Sequence, residues 1–290
     1  METLLTVSTV NAASFLRAHP RAMERFTRMA DRHVDWRGRT IMCRTRFGAR
    51  LACNLTDFIQ RKIAYFGVWE PHLTAYFQRV LKPGDIFVDV GANIGYYSLL
   101  ASQLVGSTGE VIAIEASPQI FASLTQNIRR NRCTNIRAIN NAAAYECGQM
   151  PVFSAPKGNI GHTSTIPLDG NSFDCFVEAK PLHHILSKEE MMGARLLKID
   201  IEGAEGPVVN SFAENIDLYD RRCELAVEVS PSCAWILDRM KQLGFYPYRV
   251  PNDYSDQDYL MRSERRPTRY RQRLTGQCDF IFSRFDKEYL

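Results

Sequence analysis

The sequence predicts an α/β fold in which helices cover both faces of a doubly wound, largely parallel sheet of seven strands, preceded by an N-terminal extension. Three features support this prediction. From residue 85 onward, short apolar strands alternate with helix-length segments, a glycine-containing loop follows the first strand, and an acidic residue ends the second. With 290 residues, 45% hydrophobic and 23% charged, the chain is neither mainly disordered nor collagen-like.

Residues 1–80 are predicted to form a helical and β-hairpin extension, and residues 81–290 a ligand-binding domain. An amphipathic helix is expected where apolar residues recur at helical spacing beside a stripe of arginines. The apolar residues are Met23, Phe26, Ala30 and Val34, and the arginines are Arg21, Arg25, Arg28 and Arg32. Residues 39–55 alternate around Gly48, which predicts a hairpin that turns at this glycine.

Seven short apolar segments are expected to be the strands of the main domain. They are residues 86–90, 110–115, 136–140, 195–201, 223–229, 245–250 and 278–282. Ser117 is a predicted N-cap, with Pro118 in the first turn of the helix that it opens. Residues 148–176 contain several glycines between short β-like pieces, so an inserted hairpin or loop is expected there.

The loop after the first strand has the sequence Val88-Asp89-Val90-Gly91-Ala92-Asn93-Ile94-Gly95. Glycines at such a turn allow a ligand to approach the backbone closely. Glu115 follows 20 residues after the last of them, and a carboxylate there can accept hydrogen bonds from both hydroxyls of a ribose. An adenosine-type ligand is therefore predicted. A dinucleotide is disfavoured, because Asn93 and Tyr96 stand where its fingerprint requires glycines.

Three sequence blocks in order carry a closer resemblance. They are Phe66-Gly67-Val68-Trp69-Glu70-Pro71, then residues 81–98 with the glycine loop, and Leu197-Lys198-Ile199-Asp200-Ile201-Glu202-Gly203-Ala204-Glu205. Over about residues 39–282, the chain resembles the FkbM family of S-adenosylmethionine-dependent methyltransferases. The resemblance implies a class I, Rossmann-like methyltransferase fold and methyl transfer, usually to an oxygen of sugars, polyketides or other secondary metabolites.

The resemblance implies S-adenosylmethionine as the cofactor, and the loop chemistry is compatible with it. Asp89 offers a negative charge for the methionine ammonium, and the loop backbone can accommodate the small carboxylate. Position alone places Asn141 and Ala142 near the adenine, and the resemblance suggests Glu70. The predicted cofactor-binding residues are Glu70, Asp89, Gly91, Asn93, Gly95, Glu115, Asn141 and Ala142.

Three residues are candidates for catalysis. Asp200 and Glu202 end the fourth strand beside the glycine loop, and either is suited to act as the base that removes a hydroxyl proton. His162 lies on the inserted loop, where a neutral imidazole can also accept a proton. The two carboxylates have alternative roles: they can bind a divalent cation, cap the helix that begins at Gly203, or bind the methionine ammonium. No metal site is assigned, and a divalent cation is left open.

A basic segment precedes the last strand. Residues 259–273 contain six arginines and one acid, which favours an anionic group on the acceptor, although a solvated loop balanced by nearby aspartates is an alternative. The predicted substrate-binding residues are Arg262, Arg265, Arg266 and Arg269. His183 and His184 stand where the FkbM family commonly carries Leu-Asp-Asp. They are interpreted as surface residues of a short helix, and they would respond to pH near neutrality if that helix lined the site.

The expected partner is a small-molecule or glycan acceptor. Nucleic acid is disfavoured, although 28 arginines against 8 lysines keep an RNA-binding or RNA-modifying protein as an alternative, and a nucleotide-dependent oxidoreductase is another. No membrane-spanning segment or secretory signal is found, so a cytoplasmic protein is expected. The N-terminal arginine stripe leaves peripheral membrane contact open, and a homodimer is also open. Eight dispersed cysteines without CxxC spacing predict reduced, mostly buried side chains.

Overall fold

The computed structural model describes residues 13, 16, 19–36, 38–155, 163–260 and 264–290. Its N-terminal elements are α1 (Pro20–His33), β1 (Thr40–Arg44), β2 (Arg50–Asn54), α2 (Phe58–Phe66) and α3 (Pro71–Val80). Met23, Thr27 and Ala30 are the buried residues of α1, whereas its four predicted stripe arginines are exposed. β1 and β2 pair antiparallel, with Gly48 in the turn at φ +91°. The predicted amphipathic helix and hairpin are therefore confirmed.

The rest of the described chain alternates strands and helices. The strands are β3 (Ile86–Val90), β4 (Glu110–Glu115), β5 (Ile136–Asn140), β6 (Ala142–Ala143), β7 (Gly148–Ser154), β8 (Ser172–Lys180), β9 (Ala194–Ile199), β10 (Glu224–Val229), β11 (Tyr246–Arg249), β12 (Thr268–Arg269) and β13 (Cys278–Ser283). The helices are α4 (Tyr96–Val105), α5 (Pro118–Arg130), α6 (Leu182–Ile185), α7 (Lys188–Gly193), α8 (Glu205–Glu214), α9 (Trp235–Gln242) and α10 (Asp256–Leu260).

A mixed sheet forms the centre of the molecule, in the order β12-β11-β13-β10-β9-β3-β4-β5. The five strands from β10 to β5 in this order are parallel, whereas β13 is antiparallel to both β10 and β11. The chain winds outward from β3 in both directions, so the predicted doubly wound fold is confirmed. The switch point lies between β3 and β9, where ligands bind in sheets of this kind.

The predicted number of seven strands is wrong by one. Thr268 and Arg269 pair antiparallel with Arg249 and Tyr248 and add the edge strand β12. Two residues inside a highly charged segment produce no alternation of apolar and polar side chains, so this strand has no signal in the sequence.

The inserted hairpin is confirmed. β7 pairs antiparallel with β8, and β6 pairs parallel with β8, which makes a separate three-stranded sheet. Ser164 pairs with Phe153 near the end of β7, and this contact joins the returning chain to the small sheet.

Both faces of the main sheet are covered. Phe87 packs in the hydrophobic cluster that includes Ile63 and Phe77 of the extension, whereas its neighbour Val88 packs with Val208 of α8 on the other face. Successive residues of a strand point to opposite faces, so a strand buried on both sides is apolar throughout. The extension therefore shares a core with the sheet, and the division of the chain at residue 80 stays a prediction.

A buried polar cluster attaches the C-terminal part of the chain to α3. His72 Nε2 donates to Asp258 Oδ1 at 2.8 Å, and the backbone N–H of Arg265 donates to His72 Nδ1 at 2.9 Å. The Arg265 guanidinium donates to the same Asp258 oxygen at 2.7 Å. His72 and Asp258 are almost fully buried, so these bonds fix α10 and the residues that follow it against the extension.

We expect Gly91→Ala to destabilise the protein far more than Gly244→Ala. Both glycines have φ +81°, but a Cβ on Gly91 would lie 1.9 Å from the Asp200 carbonyl oxygen, whereas a Cβ on Gly244 meets no atom within 4 Å. The free energy of unfolding of the Gly244→Ala control should fall only by the cost of a left-handed backbone at a residue with a Cβ, about 1–2 kcal/mol. Urea unfolding of both variants measures the difference. Equal losses would show that the contact with Asp200 is unimportant.

Candidate active site

A cleft lies at the carboxyl ends of β3, β4 and β9. It measures about 960 Å³, including space open to solvent. The strand ends contribute Gly91, Glu115 and Asp200, Trp69 of the extension forms another wall, and residues 163–165 approach from the inserted hairpin. The cleft therefore forms where the fold predicts a ligand site.

Glu115 shapes the loop after β3. Its Oε2 accepts from the backbone N–H of Asn93 and its Oε1 from that of Ser117, both at 2.9 Å. Asn93 has φ +49°, a left-handed conformation that is rare for non-glycine residues and that this hydrogen bond helps to hold. Burial raises the pKa of Glu115 to about 7. Each oxygen still has a lone pair for a ligand hydroxyl.

Three buried polar atoms on the cleft wall have no hydrogen-bond partner among the described residues. They are Asp89 Oδ1, Asn141 Oδ1 and the Thr165 hydroxyl, and each can accept a hydrogen bond. The other Asp89 oxygen accepts from Ser98 Oγ at 2.6 Å, and Asn141 Nδ2 donates to Glu178 at 3.3 Å. Unsatisfied buried polar atoms are costly. These acceptors therefore fit a ligand that brings N–H donors, as the ammonium and adenine amino groups of S-adenosylmethionine would.

Six of the eight predicted cofactor-binding residues line the cleft, and Gly95 and Glu70 do not. Gly95 has φ +93°, and a Cβ there would lie 2.7 Å from Leu124 Cδ1, so helix packing explains this glycine. Glu70 lies behind the wall, where it accepts from Tyr97 at 2.6 Å and from Tyr254 at 2.9 Å. Its burial, together with nearby acids, raises its pKa to about 8.

The end of β9 carries an ion pair at the cleft. Lys198 Nζ lies 2.7 Å from Asp200 Oδ2, and the lysine is almost fully buried. Burial opposes the charge of Lys198, but Asp200, Asp89 and Glu70 together raise its pKa above the ordinary value. This ammonium therefore stabilises the carboxylates around it.

Glu202 also lines the cleft, in the loop between β9 and α8. It has φ +56°, and burial, with Asp200 and Glu205 nearby, raises its pKa to about 8. Glu205 Oε1 accepts from the backbone N–H groups of Ile201 and Gly203, both at 3.0 Å, which fixes this loop. Both carboxylates predicted at the end of the fourth strand thus face the cleft.

Three carboxylates at this edge lie close enough together to hold a cation. One oxygen each from Asp200, Glu205 and Glu228 lies within 4.8 Å of the others. Hard oxygen donors of this kind suit Mg²⁺. The sequence assigned no metal site, and a divalent cation here stays the open alternative that it was there.

The other predicted site residues lie elsewhere. His162 and Arg262 are outside the described residues. Arg265 is tied to Asp258, and Arg269 lies 3.0 Å from Asp286; neither these nor the exposed Arg266 lines the cleft. Their role in binding an anionic acceptor stays a prediction. The predicted short helix is confirmed as α6, and its two histidines do not line the cleft.

Sequence reasoning missed several residues around the cleft. Lys198 interrupts an otherwise apolar strand, and this interruption was the sequence signal that it has a function. No role was assigned to it from the sequence. Trp69, Tyr96 and Tyr97 also line the cleft. Trp69 stacks on Tyr254 with ring centroids 5.5 Å apart. No local pattern shows such a contact.

A comparison with protein families distinguishes the methyltransferase from the oxidoreductase that the sequence left as an alternative. The model of the methyltransferase FkbM domain matches residues 89–246, more than half of the chain. The chain belongs to the FkbM methyltransferase family. The matched region contains the loop after β3, Glu115, Asp200 and Glu202.

Curated relatives match this FkbM methyltransferase over shorter regions. It is 31% identical over 71 residues to the 23S rRNA (uracil(1939)-C(5))-methyltransferase of Psychrobacter arcticus, covering 24% of this chain and 14% of that protein. It is 27% identical over 89 residues to the protein-L-isoaspartate O-methyltransferase of Methanococcus aeolicus, covering 31% of this chain and 34% of that one. The chain thus spans about a third or less of the length of these relatives.

Solved structures give more distant matches. TYW2 of M. jannaschii in complex with AdoMet has a TM-score of 0.45 and 13% identity, covering 85% of this chain and 87% of that one. Aeropyrum pernix fibrillarin with natively bound S-adenosyl-L-methionine has a TM-score of 0.42 and 13% identity, covering 72% of this chain and 73% of that one. No described helix of the FkbM methyltransferase has the length and apolar character needed to cross a membrane.

We expect the ligand-free enzyme to lose stability as the pH rises from 4.5 to about 8 and then to level off. The pKa values of Glu70 and Glu202, each about 8 in the fold, exceed the ordinary 4.5. The stability that each raised pKa contributes is complete below the unfolded pKa and falls progressively until the pH reaches the folded value. Urea unfolding at several pH values measures the slope. Glu70→Gln should flatten it, whereas Glu146→Gln, at an exposed position, should not. An unchanged slope in the first variant would contradict the assignment.

Proposed function

We propose that this FkbM methyltransferase transfers the methyl group of S-adenosylmethionine to a hydroxyl oxygen of a sugar, polysaccharide or secondary metabolite. The observation that carries the proposal is that Asp200 and Glu202 line the same cleft as the loop after β3 and Glu115. A carboxylate beside the cofactor site can accept the proton that an alcohol must lose.

The chain offers a partner for each polar part of the cofactor. Asp89 Oδ1 would accept from the methionine ammonium, Glu115 from the ribose hydroxyls, and Asn141 Oδ1 from the adenine amino group. Ala142 leaves room for the flat base beside β5. The bound cofactor supplies an electrophilic methyl group on a positively charged sulfur. The carboxylates around Lys198 would stabilise the positive charge on this sulfur before the methyl group is transferred.

The acceptor would enter from the side of β10 and β13. Lys198 and Asp200 line both the cofactor cleft and a small cavity, and Glu228 and Asp279 line both that cavity and an outer groove of about 460 Å³. Asn252, Tyr254 and Gln277 also line the groove. Carboxylates and amides hydrogen-bond hydroxyl groups from several directions. The groove therefore suits an acceptor that carries several hydroxyls.

Glu202 is the proposed base. Its pKa of about 8 leaves part of the population ionised near neutral pH, while keeping its proton affinity higher than that of an ordinary carboxylate. Glu202 would take up the proton of the acceptor hydroxyl as that oxygen displaces the sulfur from the methyl group that the cofactor would supply. Asp200, paired with Lys198, would orient the hydroxyl, so alignment contributes alongside proton removal.

We expect Glu115→Ala to weaken S-adenosylmethionine binding by about 1.5–3 kcal/mol, the usual contribution of hydrogen bonds to a charged group. Glu110→Ala is the matched control, because Glu110 begins the strand that Glu115 ends and lies away from the cleft. Isothermal titration calorimetry measures both. Equal affinity in the two variants would rule out the ribose role of Glu115.

We expect the enzyme to place a radioactive methyl group from labelled cofactor on neutral glycans, in an ether linkage that resists mild alkali. Glu202→Gln should lower the initial rate at least tenfold, as loss of a general base does, with cofactor affinity nearly unchanged. Asp217→Asn, at a position outside the cleft, is the control. An alkali-labile ester or an N-methyl product would refute the hydroxyl acceptor, and a normal rate in Glu202→Gln would refute the base.

A further inference from the structure

Cys147 and His184 form a close pair outside the active site. Cys147 Sγ lies 3.0 Å from His184 Nδ1, and both side chains are exposed. The sequence predicted mostly buried cysteines. In the structure three are buried, four are half-buried, and Cys147 is the one exposed cysteine of the eight, all of which are described.

The main chain fixes this contact. The preceding strand pairs Ala143 with Lys180, and the following strand pairs Gly148 with Ala179, so the cysteine and the histidine flank the same part of the small sheet. On the histidine side, its backbone N–H donates to the Pro181 carbonyl at 2.9 Å, and the ring packs edge-on against His183 with centroids 4.5 Å apart. Two mobile surface side chains would have no such constraint.

We propose that Cys147 is a reactive thiol that exchanges with small disulfides such as glutathione disulfide, with His184 as its proton acceptor. The thiolate, not the thiol, is the nucleophile, and a neighbouring imidazole promotes its formation. The Sγ proton of Cys147 passes to His184 Nδ1. The thiolate attacks one sulfur of the disulfide, a new sulfur–sulfur bond forms, the old one breaks, and the leaving thiolate takes up the proton.

The geometry also distinguishes Cys147 from the other cysteines. Among the half-buried ones, burial and Asp174 raise the pKa of Cys175, which disfavours its thiolate. The other three half-buried cysteines hydrogen-bond no imidazole of the described residues. They are Cys133, Cys233 and Cys278. Exposure and a proton acceptor are therefore combined at Cys147.

The native protein should react with the chromogenic disulfide DTNB in a single fast phase of one thiol. Cys147→Ser should abolish that phase, and His184→Asn should slow it roughly tenfold. His33→Asn removes an exposed histidine of α1 and should leave the rate unchanged. Because all three positions are exposed, the variants should fold, and circular dichroism checks this.

Incubation with glutathione disulfide, followed by peptide mapping, should place the mixed disulfide on Cys147. The proposal is overturned if no fast phase exists, if the phase persists in Cys147→Ser, if His184→Asn reacts as fast as the native protein, or if the adduct maps to another cysteine. None of these results depends on the methyl acceptor, so they are independent of the proposed function.

Discussion

The ammonium of Lys198 is the charge on which the cleft depends. It is almost fully buried, pairs with Asp200, and interacts with Asp89 of β3 and with Glu70 of the extension. Buried carboxylates repel one another and are costly to desolvate. A single cation placed between them allows three separate parts of the chain to bring their acids to one edge of the sheet. Removing one partner of such a cluster leaves an uncompensated buried charge.

Lys198 carries one positive charge and does not neutralise all of the acids around it. Burial and neighbouring acids raise the pKa of Glu228 to about 10, and burial also raises that of Asp279. A cation that binds beside acids with raised pKa values lowers those values, so the acids release protons when it binds. The positively charged cofactor of this enzyme family is such a cation. Part of the apparent affinity for it should therefore come from relief of repulsion already present in the protein.

The sequence predicted what depends on local pattern. The strands from β3 to β5, the loop after β3 and the acid that ends β4 follow from alternation, glycine positions and spacing. Glu70 shows the limit, because its two hydrogen bonds come from Tyr97 and Tyr254, which are far from it in the chain. Gly91 shows another limit: the sequence explained it by ligand approach, whereas the structure shows the Asp200 carbonyl against it. Tertiary neighbours of this kind leave no periodic signal.

The stacking of Trp69 on Tyr254 has a consequence for how the enzyme is synthesised. Trp69 precedes, by more than half of the described chain, both the Tyr254 ring that covers it and the Asp258 side chain whose contact with His72 anchors the neighbouring α10. Domains emerge from the ribosome N-terminus first, and contacts between distant segments form late. The parallel strands can assemble while translation continues, but this wall of the cleft cannot. The Trp69 side of the cleft is therefore completed only after residues 254–258 have been made.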